Sequence, residues 1–249
     1  MQNLLADLCI DAEAQTLMSM KMAHLYSHAK AAIHQAEEPD GSKAVMEDEN
    51  MSAESAADLF RVGVAVTKYF GTKRLPQFMY ECMEAHGGNG FVEDLPMAKL
   101  YRHAPLNAIW EGSGNVIALD VLRAAAKIPL LMEEVKLCAG IDSHVDDYIS
   151  QLEKYLYVTF KHYGGPTRGI SPDLQLRARY ISDQLATALQ ASLMLRYGCP
   201  TAASMFIQSR IHPSHRLDGF NHSINYGAVP YTMRDIRHVI SDNMPVFSK

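Results

Sequence analysis

The sequence predicts an all-α fold, an antiparallel helical bundle followed by a helical extension. Three observations carry that prediction. Apolar residues recur at helical period in several long runs. Glycine and proline punctuate the chain between those runs, and no window argues strongly for a β-strand. The expected division is a bundle over residues 1–127 and an extension over 128–249, with no internal repeat.

In order, Met1–Ala36 carries Leu4, Leu5, Leu8, Leu17, Met18, Met22, Leu25 and Ala29 at helical spacing. Its methionines, Met18, Met20 and Met22, suit a core or a subunit interface. Residues 37–50 read as a turn and an acidic linker. Ser52-Ala-Glu-Ser starts a second helix with good capping chemistry; Gly71 and Pro76 are expected to kink or break it before Leu75–His86. Pro96 opens a short helix over Met97–Ala104. Val116–Lys127, Pro129–Ala139 and Val145–Tyr163 are three further helical runs. Gly164–Gly169 is the clearest internal break. Pro172–Tyr197 reads as one long helix, Pro200–Ile211 as a shorter one, 212–229 as a loop, and Pro230–Ile240 as a last amphipathic turn or helix.

Composition narrows the function classes. The chain has 249 residues, 48% of them apolar and 20% charged, as in an ordinary globular protein. No apolar run reaches the length that spans a bilayer, so no membrane partner is expected. Asp7, Asp11 and Glu13 rule out a signal or Arg-rich transit peptide in the first twenty residues. Cys9, Cys82, Cys138 and Cys199 are scattered and read as reduced, buried thiols of an intracellular protein. The net charge of −5 is uneven: residues 161–249 hold 10 Lys and Arg against 5 acidic residues, and no glutamate. Such an asymmetry concerns partners more than fold.

The chemistry concentrates between Glu84 and Arg123. Gly87-Gly88-Asn89-Gly90-Phe91 and Trp110-Glu111-Gly112-Ser113-Gly114 are two glycine corners about twenty residues apart. Each can turn with positive φ and bring backbone N–H groups close to a ligand. The second sets a carboxylate beside the only tryptophan, and Ser113 is a candidate N-cap for the helix after it. Both corners are expected at one end of the bundle.

These corners, with Leu100-Tyr101-Arg102 between them and Pro105-Leu106-Asn107 before the second, resemble the C-terminal helical domain of the acyl-CoA dehydrogenase family. The alkylation-response branch is the nearest, and residues 2–125 carry the likeness. The resemblance implies a flavoenzyme that oxidises acyl-CoA thioesters across the α,β bond, and a chain that is a fragment beginning within the bundle. It makes Glu111 the catalytic base and the Glu111 N–H a donor to the thioester oxygen. It sets Ser113, Asn115, Trp110, Gly87, Gly88 and Glu84 around FAD, with the first glycine corner meeting the FAD of a neighbouring subunit in a dimer or tetramer. The fragment alone is expected neither to retain FAD nor to be active. Location by resemblance is the mitochondrial matrix or the bacterial cytoplasm. Two residues depart from the family pattern: Glu84 stands where many members have Gln, and a carboxylate there repels a pyrophosphate, while His103 replaces the Asp that usually follows Arg102.

Other constellations are weaker. His24 and His28 have i,i+4 spacing without a third ligand, and His212, His215, Asp218 and His222 form a loose group, so no metal site is expected. A second reading is a DNA-binding module built on Arg168, Arg177, Arg179, Arg196, Arg210 and Arg216. A third is an oligomerisation bundle without enzymatic function.

Overall fold

The computed structural model describes residues 1–37, 51–165, 169–213 and 226–244, the side chains of 31–37 excepted. The expected linker over 37–50 and most of the 212–229 loop lie outside the described residues. Helix α1 (Gln2–Glu37) buries Ala6, Ile10, Ala14, Met18, Met22 and Leu25 on one stripe, three or four residues apart as helical geometry requires. Met20 stands outside that stripe, 63% exposed.

Helix α2 (Ala53–Ala85) packs along α1. Ser52 caps it, its hydroxyl accepting from the Ser55 N–H at 3.1 Å, a contribution of about 1 kcal/mol. The expected break is absent: α2 runs through Gly71 and Pro76. Packing overrides the local signal, since a Cβ at Gly71 would lie 2.6 Å from Gln15 Nε2. Helix α1 therefore holds this stretch of α2 in place by close contact.

Short helices α3 (Gly88–Phe91) and α4 (Pro96–His103) follow, then a 3-10 turn over Ala104–Ala108. Helix α5 (Gly114–Arg123) returns along α2, and α6 (Ile128–Val135) packs against α2 as well. Helix α7 (Ser143–Tyr163) is capped by Asp142, whose Oδ1 accepts from His144 N and Val145 N at 2.8 and 3.2 Å. The expected long helix over 172–197 is two: α8 (Pro172–Gln175) and α9 (Ala178–Tyr197). Helix α10 (Pro200–Phe206) continues into a π turn over Ile207–Ile211, and α11 (Met233–Asn243) is the last described element. No strand occurs among the described residues.

Helix α9 is the centre of the molecule. From Gln184 to Met194 every residue is buried, and it packs against α1, α2, α5, α7 and α10. Both buried glutamines have internal partners: Tyr148 donates to Gln184 Oε1 at 2.7 Å, and Gln190 Nε2 reaches Gln15 Oε1 at 3.4 Å. One apolar cluster runs from Ala6 to Val239, so the chain after residue 127 shares its core with the chain before it.

A buried charged network fastens the C-terminal part to α1. Arg210, 3% exposed, meets Asp7 Oδ1 at 2.5 Å and Asp11 Oδ1 at 3.7 Å. Arg74 reaches Asp11 at 3.2 Å, Tyr226 donates to Asp11 Oδ2 at 2.7 Å, and the Gly227 N–H donates to Asp7 Oδ2 at 2.8 Å. Burial would raise the Asp11 carboxyl, but Arg74 and Arg210 beside it outweigh burial and hold it below the usual carboxylate range. Buried charge is tolerated here because every carboxylate oxygen named has a donor.

Candidate active site

The second glycine corner forms where the 3-10 turn ends and α5 begins. Ile109 and Trp110 both donate to the Leu106 carbonyl, at 2.9 and 3.1 Å, which closes the turn. Glu111 then takes φ +52°, the left-handed region, where it is the sole non-glycine among the described residues. Gly112 follows at φ +102°, and a Cβ there would lie 2.7 Å from Ile117 Cδ1. Lys68 of α2 holds the corner from below, its ammonium donating to the Trp110 carbonyl at 2.8 Å and the Glu111 carbonyl at 2.7 Å. Two backbone carbonyls are thereby fixed, while the Glu111 side chain and the Trp110 indole, 56% exposed, face outward. Ser113 occupies the N-cap position of α5 as expected, but its hydroxyl makes no capping hydrogen bond. Asn115 lies exposed on the first turn of α5.

The first corner closes α2. The Gly87 N–H donates to Glu84 O at 2.8 Å, and the Gly90 N–H to Gly87 O at 2.9 Å. Gly90 is buried so close to α2 that a Cβ would lie 2.0 Å from the Met83 carbonyl oxygen, so no other residue fits. Gly87 and Gly88 are the open side, with nothing within 4 Å of a Cβ at either. Glu84 is exposed beside Tyr80, and its hydrogen bond and charge hold that phenol above its usual range. Arg102 finds a local partner in Glu93, with two hydrogen bonds at 2.7 and 3.1 Å across the turn between α3 and α4. The His103 substitution thus leaves that arginine paired.

The two corners are not side by side. The Glu111 corner sits over Lys68 and Lys73, a Cβ at Gly114 meeting Lys73 Cδ at 2.7 Å, whereas the Gly87 corner follows the end of α2. From Lys73 to Glu84 is three turns of helix, about 16 Å at about 1.5 Å per residue. The connection, α4 and the 3-10 turn, packs on α2. Glycine spacing in sequence carried no information about that path.

Sequence reasoning missed a cavity of about 340 Å³ between α1 and α2, lined by Asp11, Gln15, Ser19, Met20, Arg74 and Phe78 among others. Its one sequence signal is the polar stripe Asp11, Gln15, Ser19 at i,i+4. Also missed was the convergence of Cys199, His238 and Asp242, which no local spacing reveals. Two arginines of the basic third turn inward: Arg210 is buried on Asp7, and Arg196 pairs with the buried Glu134 at 2.7 Å. Arg177 stacks on Tyr163 at 3.9 Å, and Arg179 reaches the Tyr69 hydroxyl at 3.3 Å. Arg168 and Arg216 lie outside the described residues. Arg210 in particular cannot meet a phosphate, because its charge is enclosed. His28 is bonded to the Met51 carbonyl at 2.8 Å, and His215, Asp218 and His222 lie outside the described residues.

The family description "Acyl-CoA dehydrogenase, C-terminal domain" matches residues 1–126. AidB of Escherichia coli (strain K12) is 32% identical over 152 residues, 59% of this chain and 26% of AidB. Acyl-CoA dehydrogenase family member 11 of Caenorhabditis elegans is 38% identical over 72 residues, 29% of this chain and 12% of that protein. The chain thus spans about a quarter or less of these relatives. Among solved structures, C. elegans ACDH-11 in complex with C11-CoA superposes with a TM-score of 0.57 at 20% identity, over 84% of this chain and 35% of that one. The apo form of Bd2924 gives 0.53 at 24% identity, over 76% and 32%. At these identities the structural likeness speaks for the fold. No described helix is long and apolar enough to cross a membrane.

Proposed function

Because the chain belongs to the acyl-CoA dehydrogenase family, we propose that it forms the C-terminal part of an FAD-dependent enzyme that removes hydrogen across the α,β bond of an acyl-CoA thioester. Glu111 is the base in this reading. The observation that carries it is the backbone of Glu111: a non-glycine residue held at φ +52°, with its carbonyl and that of Trp110 gripped by Lys68. A left-handed residue costs roughly 1–2 kcal/mol, and such outliers persist where the surroundings fix them for a purpose. The strain sends the carboxylate outward from the bundle, where a substrate bound against this surface can present its α-proton.

The residues at both corners suit FAD. Gly87 and Gly88 offer backbone unobstructed by side chains, Trp110 offers an exposed aromatic face, and the Ser113 hydroxyl is not engaged in capping α5. Bound FAD supplies the acceptor for the β-hydride. Trp110 and neighbouring protein would exclude water around the Glu111 carboxylate, which favours proton abstraction. The Glu111 N–H is a donor for the thioester oxygen as it gains negative charge.

The test uses the protein that carries this chain, purified with its flavin and mixed anaerobically with acyl-CoA thioesters of varied length. Wild type is expected to lose its flavin colour with one or more of them. Glu111→Gln keeps the flavin and the side-chain shape, and flavin reduction slows by at least about 100-fold, the usual weight of a general base. Undiminished reduction by the variant would place the base elsewhere, and no reduction of wild type by any thioester would overturn the dehydrogenase reading.

A further inference from the structure

Three ligand-type atoms meet on the surface outside the glycine corners. Cys199, between α9 and α10, faces His238 and Asp242, which lie one turn apart on α11. Cys199 Sγ lies 3.7 Å from His238 Nε2 and 3.5 Å from Asp242 Oδ2, and those two atoms lie 3.5 Å from each other. The triangle is nearly equilateral.

A Cys-His-Asp group could instead be a nucleophile with its base. In that arrangement the thiol and the carboxylate contact opposite nitrogens of the imidazole, so that the acid steadies the ring while the other nitrogen takes the proton. Here both converge on Nε2. That defeats a proton relay and suits a shared centre. With metal bonds of about 2.3 Å to sulfur and about 2.0–2.1 Å to nitrogen and oxygen, a tetrahedral ion spaces its ligand atoms about 3.3–3.6 Å apart. The observed edges fall on or just above that range.

We propose that Cys199, His238 and Asp242 form a binding site for a borderline-soft divalent cation of the Zn²⁺ class. A thiolate and an imidazole select such an ion over Mg²⁺ or Ca²⁺, which take oxygen ligands. Thiolate and carboxylate together carry two negative charges, so a divalent ion makes the site neutral, as suits the half-buried Cys199. Glu13 of α1 steadies the sulfur ligand from behind, its Oε1 accepting from the Cys199 N–H at 2.7 Å. His238 and Asp242 side chains are 53% and 45% exposed, which leaves an approach for the ion and a fourth position for water. The bound ion clamps α11 to the junction of α9 and α10, and through Glu13 to α1.

The test is a titration of the chelator-treated full chain with Zn²⁺ in competition with a chromophoric chelator, and with Co²⁺ as a spectroscopic probe. One equivalent is expected, with intense tetrahedral Co²⁺ bands and a thiolate-to-cobalt charge-transfer band. Cys199→Ser, nearly isosteric, loses that band, and His238→Gln and Asp242→Asn each weaken Zn²⁺ by at least about 10-fold, the least expected of a direct ligand. Cys9→Ser and Cys82→Ser, at the other half-buried thiols, keep both band and affinity. Zn²⁺ should also raise the thermal midpoint of wild type and leave that of Cys199→Ser unmoved. Uptake unchanged in Cys199→Ser, a weak octahedral Co²⁺ spectrum, or no binding at micromolar free Zn²⁺ would each overturn the site.

Discussion

Replacing Asp183 by Asn should stabilise the protein at neutral pH. Asp183 sits on α9 just before its fully buried run, and burial pushes its carboxyl up to about 6 against the opposing charges of Arg74, Arg179 and Lys73 and a hydrogen bond from Tyr69. An aspartate in an unfolded chain titrates near about 3.9. Between roughly pH 4 and pH 6 the folded state therefore binds more protons than the unfolded one. Stability falls as pH rises through that window, and the loss is complete above the folded value. Two pH units at about 1.4 kcal/mol each give about 3 kcal/mol. The Asp183→Asn variant keeps the shape without the buried charge; Arg74 retains Asp11 at 3.2 Å and Arg179 is exposed. Urea unfolding of both proteins from pH 4 to pH 8 measures the effect. The stability difference should grow by up to about 3 kcal/mol in favour of the variant between pH 4 and pH 6, then level off. A difference independent of pH, or a variant weaker than wild type at pH 7.5, would refute the reasoning.

Two further outcomes rest on the backbone and the charged network. Glu111→Gly should raise the unfolding free energy by up to about 1 kcal/mol, since glycine accepts φ +52° without strain, while removing the carboxylate proposed as base; destabilisation in urea melts would count against the strain argument. Arg210→Met should cost about 3–5 kcal/mol at pH 7, because Asp7 stays buried without its cation and Asp11 keeps only Arg74. The Asp11 carboxyl is held below its ordinary value, so the stability it supplies is present above about pH 4 and is lost as pH falls. The deficit of the Arg210→Met variant should accordingly shrink in acid, and a deficit that stays constant down to pH 3 would place the cost elsewhere.

Local chemistry was legible wherever the determinant lies within a few residues along the chain. Ser52 caps α2, Pro96 opens α4, and Leu8, Met18, Met22 and Leu25 of the expected apolar stripe are buried on α1, because caps, proline φ and helical period are properties of short segments. The residues of both glycine corners were named by type and spacing as well. Where distant segments meet is another matter. That α9 forms the centre instead of an appended layer follows from its contacts with α1, α2 and α5; an all-round buried helix has no amphipathic stripe to announce it, and its serines, threonine and glutamines disguised it further. The separation of the two corners along α2, the turning of Arg210 onto Asp7 across 203 residues of chain, and the meeting of Cys199 with His238 and Asp242 were all decided by packing. A buried charge must find its partner wherever the fold brings one, and sequence distance places no limit on where that is.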